Sequence, residues 1–179
     1  MNDSNDKNQL DYIKTIFSHN FSLIQLADTK ANILLGINSI LIPVIFGVMG
    51  LNFVSLVDNG YLSQAFFLNL FSILSLIPLA TSFIFSILVI RARYSKELKN
   101  NIFFKEIISK EFSKFKELIL KSDDQFIKDD FLREIYSLAK INKDKYKNYD
   151  YALWSLLIGL TFLILGYALI ISINFILVT

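Results

Sequence analysis

Three long stretches of this chain carry no acidic, basic or histidine side chain, and they limit what it can fold into. Residues 31–57, 59–90 and 151–179 lack Asp, Glu, Lys, Arg and His. Each stretch exceeds the roughly 20 apolar helical residues that cross a hydrocarbon core about 30 Å thick. Charged residues make up only 19% of the chain, against about 25% in soluble domains. The pattern predicts three transmembrane helices and excludes a soluble globular enzyme.

The basic residues predict how the chain is oriented. Lys7, Lys14 and Lys30 precede the first span, and the other 15 of the 18 Lys and Arg lie between the second and third spans, in 91–147. Among the acidic residues only Asp58 falls on the opposite side. Because loops rich in Lys and Arg stay in the cytoplasm, we expect a multi-pass protein of the cell inner membrane. Its N-terminus is predicted to be cytoplasmic and its C-terminus periplasmic.

The predicted fold class is an all-α membrane protein with three transmembrane helices, an N-terminal amphipathic helix and a cytoplasmic helical hairpin between the second and third spans. Apolar residues recur at helical spacing from Leu10 to Ile24, so this helix is expected to run unbroken into the first span. The predicted segments are the N-terminal helix 1–30, the first span 31–57, an external loop 58–64, the second span 65–91, the cytoplasmic hairpin 92–150 and the third span 151–177.

Two apolar stripes at helical spacing define the hairpin, with a turn expected near Ser122. The first stripe consists of Phe104, Ile108, Phe112, Phe115 and Ile119, and the second of Phe131, Ile135, Leu138 and Ile141. The favoured interpretation packs the stripes against each other or in a subunit bundle. Binding to a membrane surface or to a partner's helix is the alternative. The Lys and Glu on the opposite faces are expected to be solvated.

Small and polar residues share one face of the first span. They are Asn32, Gly36, Ser39, Pro43, Gly47 and Gly50. Such a face lets helix backbones approach closely in lipid, so it predicts packing within the protomer or in a homo-oligomer. A pore-lining or gating face is the other interpretation. Asn38 and Asn174 lie within spans, where lipid offers no hydrogen-bond partner, so an interhelical bond is expected for each.

Nothing in the composition favours catalysis, a metal or a cofactor. The chain has no cysteine and one histidine, His19, and no glycine-rich phosphate cradle or zinc-protease motif. The acidic pairs 123–124 and 129–130 have no histidine beside them to complete a metal site. No charge lies within a span, which argues against an ion-coupled transporter. The prediction is therefore a non-enzymatic membrane protein that binds no nucleic acid.

The junction between the N-terminal helix and the first span is the most distinctive segment. Asp28, Asn32 and Gly36 follow one another at i, i+4 steps and so share a helical face. An Asp one turn from the bilayer is costly unless it is paired, and we expect it to meet Arg91 or Arg93 at the end of the second span. The pair is interpreted either as a structural clasp or as a switch that a ligand breaks.

Two segments resemble the Pycsar effector transmembrane family of bacterial antiphage systems. The first is Ala27-Asp28-Thr29-Lys30-Ala31-Asn32 followed by Leu35-Gly36-Ile37-Asn38, running directly into the first span. The second is Leu132-Arg133-Glu134-Ile135-Tyr136-Ser137-Leu138-Ala139 with Lys145-Tyr146 after it, shortly before the third span. The three-span layout with a helical insert agrees with that family, so the resemblance covers roughly residues 10–170.

The resemblance implies an effector that responds to a cyclic pyrimidine nucleotide. Such effectors are encoded beside a cyclase that makes cyclic CMP or cyclic UMP on infection, and the nucleotide is expected to trigger membrane impairment and abortive infection. A nucleotide site needs a cation for the phosphate and an aromatic or apolar wall for the base. The candidate groups are Lys30, Arg91, Arg93 and Tyr94, or alternatively Lys143, Lys145 and Tyr146.

Two other functions stay open on the sequence. One is a ligand-independent scaffold or regulatory subunit of the membrane, and the other is a small holin-like pore with a different trigger. In each case the expected partners include the lipid bilayer, and a homo-oligomer is expected.

Overall fold

The structure, a computed structural model, consists of long helices. It describes the backbone of residues 3–59, 62–91 and 107–178. Within these ranges the helices are α1 (Asp3–Asn59), α2 (Leu62–Ile90), α3 (Phe112–Lys121) and α4 (Asp124–Val178). The described residues contain no β-strand, which confirms the all-α prediction.

Three of the helices are long and apolar enough to cross a membrane. The qualifying segments are Lys7–Leu51 in α1, Asn69–Ile90 in α2 and Asp124–Leu169 in α4. Continuous helices are expected here because a peptide group in hydrocarbon must find its hydrogen bond within the helix. Pro43 and Pro78 lie inside α1 and α2, and such prolines are tolerated in transmembrane helices.

The continuity of α1 confirms that the N-terminal helix and the first span form one element. α4 is equally continuous, so the third span begins as an extension of the helix that follows Ser122. α1 ends at Asn59 and α2 begins at Leu62, both within the segment predicted as the external loop.

The turn predicted near Ser122 is present between α3 and α4. The Ser122 hydroxyl donates to the Leu118 carbonyl at 2.7 Å, and its backbone N–H donates to the Ile119 carbonyl at 3.3 Å. The Asp123 carboxylate accepts the N–H of Phe126 at 2.8 Å and so caps the start of α4. The predicted hairpin over 92–150 also includes residues 92–106, which lie outside the described residues.

The chain divides into two compact units. The apolar unit comprises Asp28–Arg91 and Tyr146–Thr179, and the charged unit comprises Met1–Ala27 and Ala92–Lys145. The core of the apolar unit is a cluster of five buried side chains from three helices, namely Leu34, Ile45, Leu79, Ala152 and Leu156. α1 and α4 contribute residues to both units.

Aromatic and polar contacts together hold the charged unit. Phe17 on α1 meets Phe131 on α4 edge to face, with ring centroids 5.7 Å apart. The Asn142 amide donates to the Asn20 carbonyl at 3.0 Å. Ile13 and Leu138 are the buried aliphatic side chains near these contacts in sequence. Edge-to-face pairs contribute about 0.5–1.5 kcal/mol beyond the area they bury.

Gly159 of α4 provides a test of the packing in the apolar unit. A Cβ added there would lie 2.8 Å from the Leu79 Cγ and 3.3 Å from the Ser75 carbonyl oxygen. We expect Gly159→Leu to lower the free energy of unfolding by about 1–3 kcal/mol, the usual cost of overpacking. Thermal unfolding in detergent, followed by the fluorescence of Trp154, measures it.

Ala168→Leu is the matched control, because Ala168 lies on the same helix and is exposed. It should unfold at the temperature of the unmodified protein. Equal destabilisation by both substitutions would contradict the close approach of α2 and α4 at Gly159.

Candidate functional site

One face of α1 forms the inner surface of the apolar unit. Ala31, Leu34, Asn38 and Ile45 are buried, at spacings of three, four and seven residues. These spacings place them on one side of a helix. The face is apolar except at Asn38, which is completely buried. The inward side of the first span is therefore set by this row.

The small-residue face lies on another side of α1. Asn32, Gly36, Ser39, Pro43, Gly47 and Gly50 are all exposed. A Cβ added at Gly36, Gly47 or Gly50 would meet no atom within 4 Å. The described residues of the chain do not pack against these glycines, unlike Gly159 and Gly166, where an added Cβ would clash with α2. The face is thus not used for packing within the protomer at its glycines, and the oligomer and pore interpretations stay predictions.

Asn38 has the interhelical bond that the sequence predicts. Its Nδ2 donates to the Ser82 Oγ of α2 at 2.9 Å and also to the Leu34 carbonyl at 3.0 Å. Its Oδ1 is buried and accepts no hydrogen bond in the structure. Because lipid offers no alternative partner, the bond to Ser82 links the first two spans at this depth. The side chain of Asn174 lies outside the described residues.

Serine side chains form most of the buried face of α2. Ser72, Ser75, Ser82 and Ser86 are buried. Ser75 donates to the Ser72 carbonyl at 2.7 Å, and Ser86 donates to the Ser82 carbonyl at 2.8 Å. Bonds to the helix's own backbone satisfy these hydroxyls, as such residues often do in membranes. The serines therefore make a small, polar contact surface inside the apolar unit.

Lys30 lies beside two tyrosines of α4. Its Nζ is 5.9 Å from the ring centroid of Tyr146 and 5.5 Å from that of Tyr149. Both distances are within the range of cation–π attraction. Sequence reasoning placed Lys30 and Tyr146 in separate candidate clusters, and the structure brings them together. Tyr149 was missed, although it lies one helical turn after Tyr146.

A second basic–aromatic contact lies nearby on α4. The Lys147 Nζ is 5.9 Å from the centroid of the Tyr151 ring, and Tyr151 in turn meets Phe85 of α2 at 5.2 Å between centroids. Basic and amphipathic aromatic side chains are typical of the level where a transmembrane helix meets the headgroups. These contacts mark that level on α4.

The remaining switch candidates are only partly placed. Asp28 is half-buried and has an interaction partner, while Asn32 and Arg91 are exposed. Arg93 and Tyr94 lie outside the described residues. The pairing of Asp28 with Arg91 or Arg93 therefore stays a prediction.

A row of polar side chains is buried on the charged unit's part of α4. It consists of Asp130, Glu134, Ser137, Asn142 and Lys145. The burial of Asp130, Glu134 and Lys145 was not predicted from the sequence. Each of these three has an interaction partner, as a buried charge requires.

The buried side of α4 differs from the predicted apolar stripe, which explains why the buried charged residues were missed. The predicted stripe of Phe131, Ile135, Leu138 and Ile141 is buried only at Leu138, and its other members are half-buried. The buried side of α4 is rotated around the helix axis from this stripe, toward the side that carries Asp130 and Glu134. The i, i+4 spacing of Asp130 and Glu134 was visible in the sequence, but hydrophobicity alone could not assign it to the inside.

An open concavity of about 510 Å³ lies at the turn between α3 and α4. Its lining residues are Lys114, Glu117, Leu118, Lys121, Ser122, Asp123 and Phe126. Two lysines and two carboxylates balance in charge, and Lys121 already pairs with Glu117 at 2.6 Å. The concavity therefore offers no net attraction for an anion. Among the described residues, no cluster of His, Cys, Asp or Glu could hold a metal ion.

Comparison with known proteins decides the family. The family profile described as the Pycsar effector protein domain matches residues 12–172. The chain belongs to this family. The match covers all three spans up to residue 172, as well as the charged unit from residue 12, so it places the protein among the membrane effectors of Pycsar antiphage defence. Searches of curated proteins and of solved structures find no match.

The bond between Asn38 and Ser82 can be tested in this Pycsar effector. Ser82→Ala removes the acceptor on α2 and leaves the Asn38 amide with only the Leu34 carbonyl. We expect a loss of about 0.6–1.7 kcal/mol in unfolding free energy, typical of interhelical bonds in membranes. Equilibrium unfolding in mixed micelles measures it.

Ser86→Ala provides the control, since the Ser86 hydroxyl donates within its own helix. It should cost clearly less than Ser82→Ala. In the Asn38→Leu background, Ser82→Ala should lower the unfolding free energy by less than it does in the unmodified protein. An equal loss in both backgrounds would show that the two side chains are not coupled, which would contradict the bond.

Proposed function

We propose that this Pycsar effector impairs the inner membrane when a cyclic pyrimidine nucleotide, cyclic CMP or cyclic UMP, binds to it. The consequence is cell death or arrest before phage mature, and so abortive infection. The single observation that carries the proposal is the family match over residues 12–172. Three apolar helices long enough to cross a bilayer support it, because the target of such an effector is the membrane itself.

The protein acts in this proposal without catalysing a reaction. The ligand shifts the chain between two arrangements of its helices, and it can do so only by binding one of them more tightly. The N-terminus and the charged unit face the cytoplasm, where a cyclase encoded beside the effector releases the nucleotide. The lipid bilayer, the nucleotide and further copies of the chain are the proposed partners.

Lys30 with Tyr146 and Tyr149 is the favoured point of nucleotide contact. A phosphate requires a cation and a pyrimidine stacks on an aromatic ring, and these side chains supply both within one contact set. A bound phosphate would draw the Lys30 ammonium away from the rings. Because Lys30 lies at the start of the first span, this exchange would act directly on α1. Arg91, Arg93 and Tyr94 remain the alternative set.

Self-association is proposed to occur through the small-residue face of α1. In lipid, helices associate through small residues that let backbones approach. A Cβ added at Gly36, Gly47 or Gly50 would meet none of the described atoms within 4 Å. The opposite, inward row of α1 is already occupied by α2 and α4 through Leu34 and Ile45. A second copy can therefore dock without unpacking the first.

The proposed function predicts depolarisation that depends on the nucleotide. In bacteria that express this protein with an active pyrimidine cyclase, a membrane-potential dye should report loss of potential. A catalytically dead cyclase is the control and should leave the potential intact, because the ligand is then missing.

The other possible outcomes of this membrane-potential experiment support different functions. Depolarisation with both cyclases would contradict nucleotide gating and favour an ungated, holin-like pore. An unchanged potential with cyclic CMP and with cyclic UMP, given verified insertion, would overturn membrane impairment and favour a scaffold or regulatory subunit.

Substitution of Gly36 tests the proposed oligomer interface. A Cβ added at Gly36 would meet no described atom within 4 Å, so we expect Gly36→Leu to leave the fold of the protomer unchanged. Between copies it should block the close approach of two α1 helices and abolish the oligomer. Crosslinking in native membranes and mass measurement in mild detergent would show this.

Ile37→Phe is the matched control, since Ile37 is also exposed on α1 but lies about 100° around the helix from Gly36. It should leave the oligomer intact. An unchanged oligomer in both Gly36→Leu and Gly47→Leu would show that this face contacts lipid instead.

A further inference from the structure

α3 exposes its apolar residues although it belongs to a folded unit. None of its residues from Phe112 to Lys121 is buried. Phe112 is 77% exposed, and Ile119 is 48% exposed. Phe115 and Leu118 are half-buried, which ties one edge of the helix to the rest of the charged unit. The packing predicted for the first apolar stripe thus leaves Phe112 and Ile119 largely uncovered.

These exposed side chains share one edge of the helix. Phe112 and Ile119 are seven residues apart, or about two turns, and Phe115 lies between them at i+3 and i−4. Ile108, just before α3, is also 77% exposed. The charged side chains of α3 lie mostly on the other side, so the helix is amphipathic. An exposed apolar edge of this kind marks a contact surface.

Charge indicates what covers that edge. α3 carries Lys114, Lys116 and Lys121 against the single acidic residue Glu117. Lys116 lies one turn after Phe112 and three residues before Ile119, directly beside the apolar edge. Two copies of α3 packed edge to edge would bring these like charges together. An anionic lipid surface would instead attract Lys116, whose long side chain can reach the headgroups while the edge enters the acyl boundary.

The covalent connection of α3 to the membrane spans also favours docking on a lipid surface. Only 21 residues separate the end of α2 at Ile90 from the start of α3 at Phe112. A chain of this length spans at most roughly 70 Å even when fully extended, so α3 cannot diffuse away from the membrane. Tethering replaces free association with a high effective concentration of the surface, so a ten-residue helix can bind lipid that it would bind weakly alone.

We propose that α3 is an interfacial helix, which docks on an anionic leaflet through Phe112 and Ile119 with Lys116 at the headgroups. Docking requires no unfolding, because the edge is already exposed. The surface is separate from Lys30 and its tyrosines, so this inference holds whether or not a nucleotide activates the protein.

Site-directed fluorescence on the full chain tests the docking. The protein has no cysteine, so Ile119→Cys gives one labelling site for the dye NBD. The labelled protein is reconstituted into vesicles of phosphatidylcholine with phosphatidylglycerol, together with lipids that carry a nitroxide on the acyl chain. We expect a blue-shifted emission and quenching at least about threefold stronger than at the control position, as for a side chain in the acyl boundary.

Ser113→Cys is the matched control, because Ser113 is exposed on the same helix and lies about 120° away from Ile119. Replacing Lys114, Lys116 and Lys121 with Gln should reduce quenching at Ile119→Cys to the control level. The same reduction is expected in vesicles of phosphatidylcholine alone.

Two results would overturn the proposal. Equal, weak quenching at Ile119→Cys and Ser113→Cys would show that the edge stays in water. A blue shift at Ile119→Cys without lipid quenching, accompanied by disulfide crosslinking between copies through unlabelled Ile119→Cys, would show that a second copy covers the edge. Gel filtration identical to that of the unmodified protein verifies that both cysteine variants fold.

Discussion

Hydrocarbon offers no hydrogen-bond partner, and this constraint accounts for most of the architecture. Every backbone amide within a span must be satisfied inside its own helix, so the charge-free segments appear as long, unbroken helices. Side chains obey the same rule. Ser75 and Ser86 of α2 bond to the backbone of their own helix, and Asn38 reaches across to Ser82. One polar contact inside the apolar unit thus fixes the register of α1 against α2.

The two faces of α1 have different uses. The inward row, including Leu34, Asn38 and Ile45, is occupied by the chain's own helices, whereas the small-residue face meets none of their described atoms at its glycines. The proposed effector can therefore be a stable protomer and still associate with further copies. An activating ligand that acts on Lys30 would contact the same helix where its membrane span begins. The proposed nucleotide contact, the inward packing and the proposed oligomer face thus all lie on one continuous helix.

The charged unit is held in a different way. Its buried row on α4 is largely polar, and Asn142 in this row donates a hydrogen bond to the Asn20 carbonyl of α1. Polar contacts of this kind contribute less net stability than an apolar core of equal size, because each partner is also well hydrated when separated. They do, however, specify which residues can face each other. The exposed edge of α3 adds a surface to this unit that, in our proposal, connects it to the bilayer.

The sequence by itself determined the three spans, the unbroken N-terminal helix, the turn at Ser122 and the need of Asn38 for a partner. Each of these follows from local constraints, because absence of charge, helical periodicity and an unsatisfied amide act within one helix or one side chain. Family membership was also visible in the two quoted segments, and the match over residues 12–172 confirms it.

Only the tertiary structure decided which faces meet. In lipid, a leucine has a similar solvation free energy whether it faces another helix or an acyl chain. Hydrophobicity therefore could not show that the glycines of α1 point away from the described residues of the protomer. The same pattern could not show that Asp130, Glu134 and Lys145 turn inward, since a buried charge is tolerated only where the fold supplies a partner. The contact of Lys30 with Tyr146 and Tyr149 joins residues more than a hundred positions apart, and only the packing of α1 against α4 brings them together.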